Sequence, residues 1–508
     1  MPPKLRPYQF YDTAVSICST CLRRVDAKIV FQDGCVWMLK RCANHGAERV
    51  LIADDIDYYR RAREVFVKTP EQVSRYNTPV RYGCPYDCGV CPDHEQHGCT
   101  LLIEITDACN LSCPTCYAMS GPERQTHRSL EQIEKMLDLA VRNEGEPSIV
   151  QISGGEPTIH PQFFDVLDAA RRRPIRHILL NTNGIRIARD EGFAERLKTY
   201  EPAFEIYLQF DSFRRATVET LRGADTRRIH EQALEKLNAL NISTTLVATV
   251  RRGLNDDELG EIIDYARQQH CIRGVTFQPV QAVGRLEQNE GGFDPGRDRL
   301  TLTEIRRAIL EQSDLFAPED IIPVPCHADS VAMAYALKLG DKFIPLTGMV
   351  DPDVLVEGGR NTIAYEGEGA IQDKLFDLFS THHSPDSQTG AMSDFLAAVP
   401  DGRIANQLSY DNIFRVLIVQ FIDAYGFDLR SIRKTCVHIV HPDGKRAIPF
   451  DTYNLLYRDA LEHTVLADIR RERAPEVLSG PLSLSMHTVA DKADTGEIVL
   501  RPMAEIIE

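Results

Sequence analysis

Eleven of the fourteen cysteines in this 508-residue chain fall within its first 116 residues: Cys18, Cys21, Cys35, Cys42, Cys84, Cys88, Cys91, Cys99, Cys109, Cys113 and Cys116. Thiols at that density serve as disulfides or as metal ligands, and the compartment decides which. The opening residues Met1-Pro2-Pro3-Lys4 lack the apolar stretch of a secretion signal, and no run of about 18 apolar residues occurs that could span a membrane. A reducing, cytoplasmic location is therefore expected, and with it metal binding. The balance of 58 Lys and Arg against 74 Asp and Glu gives a net charge of −16, which repels a phosphate backbone, so nucleic acid is not an expected partner.

Spacing sorts the thiols into three groups. Cys18 and Cys21, a β-rich piece with a turn at Asp33-Gly34, then Cys42 and His45 outline a ribbon that holds one tetrahedral zinc or iron ion, with Cys35 as the alternative to His45. Cys84, Cys88 and Cys91, with Cys99 as a fourth thiol, can complete a four-iron cluster that only conducts electrons. Cys109, Cys113 and Cys116 repeat the three- and two-residue gaps directly after the apolar run 101–106, without a fourth thiol. Each thiolate serves one iron, so a cluster held there keeps one iron open to something other than protein.

From 100 to 285 short apolar runs at 101–106, 148–152, 177–181, 204–210, 244–250 and 274–278 alternate with amphipathic stretches at 130–141, 161–172, 191–198, 229–240 and 256–268. Six such steps predict an α/β fold with a parallel sheet, a partial (β/α)6 barrel of the TIM type. In that architecture function gathers at the C-terminal ends of the strands. The three cysteines follow the first strand, Ser153-Gly154-Gly155-Glu156-Pro157 the second, Asn181-Thr182-Asn183-Gly184 the third and Gln209-Phe210-Asp211 the fourth. These are backbone-rich and short polar groups suited to gripping a polar ligand. The organisation expected around the barrel is a metal ribbon at 1–60, a linker carrying the second cysteine motif at 61–99, a mainly helical C-terminal domain at 286–480 and a tail at 481–508.

The strand-borne loop Cys109-Asn-Leu-Ser-Cys113-Pro-Thr-Cys116, followed by Gly154-Gly155-Glu156-Pro157, resembles the radical S-adenosylmethionine superfamily over residues 100–285. The resemblance implies that S-adenosylmethionine chelates the open iron of a [4Fe-4S] cluster and that reductive cleavage releases a 5′-deoxyadenosyl radical. It places the methionine amino group on Ser153, Gly154, Gly155 and Glu156, the ribose on Asn181 and Asn183, and the nucleoside or carboxylate on Gln209, Asp211 and Arg222. One departure is Thr115 where many members carry an aromatic residue, with Tyr117 following the third cysteine instead.

The order of ribbon, Cys84–Cys91 motif and Cys109–Cys116 motif, with Pro325-Cys326-His327 and Cys436-Val437-His438 further on, is similar to the subfamily of tetraether lipid synthases and dihydropterin C-methylases. That likeness implies carbon–carbon bond formation or C-methylation on a lipid chain or a pterin-like heterocycle, with a ferredoxin or flavodoxin as electron donor. It also implies a third cluster built from cysteines around the later islands, although Ser330 and Asp451 stand where two of them are expected. A peptide-modifying maturase with an auxiliary cluster and a non-catalytic electron carrier or redox sensor are the alternatives. Gly154-Gly155-Glu156 argues against the carrier, which needs no amino-acid site.

Overall fold

The computed structural model describes residues 6–71, 75–286, 293–357 and 410–479; the expected tail lies outside the described residues. Strands β1 (Gln9–Ile17), β2 (Arg24–Gln32), β3 (Cys35–Cys42) and β4 (Gly46–Ala53) form an antiparallel sheet in chain order, which is the ribbon. Alternation along β3 turns Val36 and Met38 onto Ala27, Ile29 and Tyr59. Lys40 is buried as well, and its ammonium donates to the carbonyls of Ile17, Ala424 and Tyr425, tying the ribbon to the far end of the chain.

The barrel strands are β5 (Thr100–Thr106), β6 (Ile149–Gly154), β7 (His177–Thr182), β8 (Phe204–Gln209), β9 (Thr244–Val250) and β10 (Ile272–Pro279), each parallel to its neighbour. All six expected runs are strands, and the expected helices appear as Leu130–Glu144, Phe163–Arg171, Phe193–Lys198, Arg227–Leu240 and Leu259–Gln268. A sheet covered on both faces needs near-continuous apolar strands, and Leu101, Ile103 and Ile105 of β5 are fully buried. The helix Leu130–Glu144 starts where Ser129 Oγ accepts from the Gln132 amide at 3.2 Å and stops at Gly145, whose φ of 73° only glycine adopts cheaply.

The region past 286, expected to be mainly helical, also contributes strands among the described residues. It carries helices, such as Leu302–Gln312 and Val465–Ser479, but also β11 (Ile322–Pro323), β12 (Val331–Leu339), β13 (Lys342–Pro345), β14 (Ile413–Val419), β15 (Val437–Val440) and β16 (Ala447–Pro449). These enter the barrel sheet, whose order is β11-β12-β14-β10-β9-β8-β7-β6-β5-β15-β16, with β13 on β12. β14 lies parallel to β10 and β15 parallel to β5, so the six βα strands are extended at both ends. Short apolar runs cannot be told from helix segments by periodicity alone, and only the partner strand makes Ile413–Val419 a strand. Its residues Phe414, Val416 and Ile418 enter the core, while Leu417 and Val419 face the barrel cavity.

Candidate active site

The strand ends meet over a cavity of about 910 Å³ inside the barrel, a size typical of small-molecule sites. Cys109, Cys113 and Cys116 line it. Their loop is held by backbone bonds that no side-chain pattern announces: the Cys116 and Arg285 amides exchange bonds with each other's carbonyls at 2.9 Å, and Arg285 Nε donates to the Cys113 carbonyl at 2.9 Å. Gly284 lies against the same loop at φ 67°; a Cβ there would sit 2.5 Å from the Cys116 carbonyl oxygen. Burial pushes the Cys109 thiol up to about 12 and raises Cys113, the latter opposed by the adjacent Arg222 guanidinium. Such thiols are neutral until a cation displaces their protons.

A line of polar side chains crosses the cavity floor from strand to strand. Tyr117 Oη lies 3.5 Å from Ser153 Oγ; Asn181 Nδ2 donates to Ser153 Oγ at 3.3 Å; Gln209 Nε2 donates to Asn181 Oδ1 at 2.8 Å; Arg222 Nη2 donates to Gln209 Oε1 at 2.5 Å. Asp211 grips Arg222 with both oxygens, at 2.5 and 2.7 Å, and takes the Thr249 amide at 2.9 Å. Asn183 donates to Asn110 Oδ1 within the cysteine loop at 2.7 Å. Glu156 is buried and accepts from Thr158 N and Oγ1, Thr182 Oγ1 and Asn183 N at 2.5–3.1 Å, while burial still raises its carboxyl above the usual range.

Of the residues singled out in the sequence, Gly154, Gly155, Glu156, Asn181, Asn183, Gln209 and Arg222 line the cavity. Ser153 and Asp211 are not among its lining residues; both are fully buried and act through Asn181 and Arg222. Sequence reasoning missed Arg285, Thr249 and the pair Glu104–Arg458 beneath Tyr117. Only Glu104 had a signal, a charge inside a buried strand, which requires a partner.

The other thiols rearrange the expected groups. Cys18, Cys21, Cys42 and His45 place one donor atom each within 4.8 Å of the others, as a tetrahedral ion requires. Cys35 is outside that group, at the start of β3 near Asp54 and Glu304, so it does not replace His45. Cys84, Cys88 and Cys91 are buried together, on a loop pinned by the Asp87 carboxylate, which accepts the Arg81 and Gly83 amides, and by the Cys88 amide, which donates to Tyr457 Oη at 2.7 Å. Their assignment with Cys99 as a fourth ligand is corrected: Cys99 packs with Cys326 and Cys436, in a different apolar cluster from Cys84 and Cys88. Seven residues of chain separate Cys91 from Cys99, and the path of that loop is set by tertiary contacts, not by spacing.

Comparison with known proteins matches residues 103–266 to the Radical SAM superfamily and residues 10–54 to the HMPTM N-terminal zinc ribbon domain. The 7,8-dihydro-6-hydroxymethylpterin dimethyltransferase of Methanocaldococcus jannaschii is 30% identical over 490 residues, 88% of this chain and 94% of that protein. The chain belongs to the radical SAM superfamily. A GTP 3′,8-cyclase of Syntrophomonas wolfei is 28% identical over 56% of this chain and 82% of its own. The crystal structure of Streptococcus suis SuiB bound to precursor peptide SuiA overlaps 43% of this chain and 46% of its own at 19% identity and a TM-score of 0.36.

As a radical SAM enzyme the protein uses a [4Fe-4S] cluster and S-adenosylmethionine, and the ribbon matches a zinc ribbon domain. The residues present fit these groups: three thiols facing one cavity leave an iron open, and amide, guanidinium and backbone donors surround them. No helix among the described residues is long and apolar enough to cross a membrane. Asp211→Asn is expected to raise the S-adenosylmethionine KM about tenfold, roughly 1.4 kcal/mol, with kcat and iron content nearly unchanged, because Arg222 loses the charge that aims it. Steady-state kinetics with iron analysis checks this; a drop in kcat alone contradicts it.

Proposed function

We propose that this radical SAM enzyme methylates a carbon of a reduced, pterin-class heterocycle. The observation that carries the reading is the likeness to the pterin dimethyltransferase across 88% of this chain and 94% of that protein, far more than the barrel alone. The cavity supports a flat substrate. Phe421 and Phe450 stack with ring centroids 3.8 Å apart, Tyr117 meets Phe450 edge-on at 5.0 Å, and all three line the cavity near Cys116. Gln278 and Gln281 add amides to the cavity lining, able to pair with ring nitrogens and oxygens.

Cys109, Cys113 and Cys116 hold the cluster that, with S-adenosylmethionine bound, supplies reductive sulfonium cleavage and hydrogen abstraction from an unactivated carbon. The protein's share is to bind, orient and exclude water. Gly154, Gly155 and Glu156 present the strand end to the amino-acid moiety, Asn181 and Asn183 face the ribose, and Gln209 and Arg222, aimed by Asp211, face the carboxylate or nucleoside. Cys84, Cys88 and Cys91 would hold three irons of a second [4Fe-4S] cluster, the fourth iron taking a ligand other than Cys99, and that cluster would supply electron transfer, with a ferredoxin or flavodoxin as the expected donor.

The test is anaerobic reconstitution with iron and sulfide, then turnover with S-adenosylmethionine, dithionite and either a 6-hydroxymethyl dihydropterin or an isoprenoid lipid. Mass spectrometry should find the pterin heavier by one or two CH2 units and 5′-deoxyadenosine formed in step. Coupled lipid chains with an unchanged pterin would overturn the substrate assignment.

A further inference from the structure

Where the chain enters β5, β12 and β15 lies another group of buried thiols. Cys99, Cys326 and Cys436 are each 0% exposed, and their sulfur atoms lie within 4.8 Å of one another, Cys326 and Cys436 at 3.2 Å. The ribbon tetrad meets the same limit, whereas the trios Cys109, Cys113, Cys116 and Cys84, Cys88, Cys91 do not. The difference is chemical. Sulfurs about 2.3 Å from a single tetrahedral ion stand about 3.8 Å apart. Thiolates that each bind a different iron of a cubane are held apart by the cluster core. The structure therefore separates single-ion spacing from cluster spacing, and this trio has the former.

The residues around the trio also disagree with the third cluster that the family resemblance implies. Ser330 and Asp451 occupy the two expected cysteine positions, and Asp451 is committed elsewhere, accepting from the Ile422 amide at 2.5 Å and Thr435 Oγ1 at 3.0 Å. On the Cys99 side stands His97, its Nε2 3.5 Å from Cys99 Sγ and 3.4 Å from Glu71 Oε2, a contact it would give up to bind an ion, and its Nδ1 3.0 Å from Glu144 Oε2. A carboxylate on the far nitrogen is the arrangement that orients a metal-binding imidazole.

We propose that Cys99, Cys326 and Cys436 bind a single tetrahedral zinc ion, with His97 swung in as fourth donor, and that this ion fastens the two ends of the barrel sheet together. Cys99 directly precedes β5 and Cys436 directly precedes β15; the two strands are in register at Thr100 and Val437, with the Thr100 amide donating to the Cys436 carbonyl at 3.1 Å. Cys326 comes from between β11 and β12, at the other end of the strand order. No strand pairing joins β11 to β16, so among the described residues the sheet has two edges and backbone hydrogen bonds do not close it. The ion ties the N-terminal ends of β5 and β15 to the start of β12, which lies beside the C-terminal end of β14.

The experiment uses the full-length protein, purified anaerobically and reconstituted with iron and sulfide. Zinc, iron and sulfide are counted per chain, and the zinc X-ray absorption edge reports the donors. Two zinc ions per chain with sulfur-rich coordination are expected. A C326S/C436S double variant should lose one of them with iron and sulfide unchanged, while C18S/C21S loses the other. Loss of iron and sulfide in the C326S/C436S protein would overturn the proposal in favour of a cluster. A native mass two hydrogens light at Cys326 and Cys436 would overturn it in favour of a disulfide. Should the double variant fail to fold, the wild-type count decides alone, and a single zinc per chain refutes the site.

Discussion

Cys113→Ala is expected to reduce 5′-deoxyadenosine formation to the level measured without protein, and to remove about four irons and four sulfides per chain. Cys113 is the middle ligand of the cavity-facing trio, beside Arg222, and its carbonyl is held by Arg285. Two thiols at Cys109 and Cys116 cannot retain a cluster that already leaves one iron open. The control is Cys271→Ala: this buried core cysteine just before β10 is in none of the metal-binding groups, so its removal leaves cluster and cleavage in place. Anaerobic assay by liquid chromatography together with iron analysis distinguishes them. Cleavage that persists in Cys113→Ala would place the reactive cluster elsewhere, on Cys84, Cys88 and Cys91.

The second large effect is on stability. Arg458 donates to both oxygens of Glu104 at 2.7 and 3.0 Å, and both side chains are buried. The same guanidinium lies 4.9 Å from the Tyr453 ring centre and 5.7 Å from that of Tyr117. Arg458→Met strands a buried carboxylate and should cost about 3–5 kcal/mol. Burial works to raise the Glu104 carboxyl, and Arg458 overcomes it, so in the native protein it sits below the usual range. That lowered value stabilises the native protein at neutral pH, and the contribution is lost as pH falls through the folded value. Without Arg458 only the more distant charge of Arg128 still opposes burial and the folded value rises, so the variant's penalty grows as pH increases through it. The gap in melting temperature between the two proteins should therefore be widest near pH 8 and shrink toward pH 5. A gap independent of pH would mean that lost packing against Tyr453 and Tyr117, and not the charge, sets the loss.

Within the barrel the sequence was a good guide because the signals there are local. Apolar runs bounded by turn residues gave all six strands, and the cysteine spacing identified the loop that faces the cavity. It was a poorer guide wherever a residue acts through a partner distant in sequence. Asp211, read as a ligand contact, is instead the buried counter-charge that aims Arg222. Arg285 works through carbonyl and amide bonds to the cysteine loop, which leave no trace in residue type. The strands past residue 286 were read as part of a mainly helical region because a short apolar run becomes a strand only when another strand accepts its hydrogen bonds.

The sequence by itself determined the chemistry available to this protein. Thiol number and spacing along a loop of eight residues, and the side chains at each strand end, are set by covalent order, so the cavity-facing trio and the ribbon tetrad were legible from it. Only the tertiary structure decided which distant thiols share a site. Cys99 lies eight residues after Cys91 yet packs with Cys326 and Cys436, because the parallel register of β5 with β15 and the approach of the opposite sheet end bring those three sulfurs together. Proximity across more than 200 residues depends on how the sheet curves and pairs, and no local pattern encodes it.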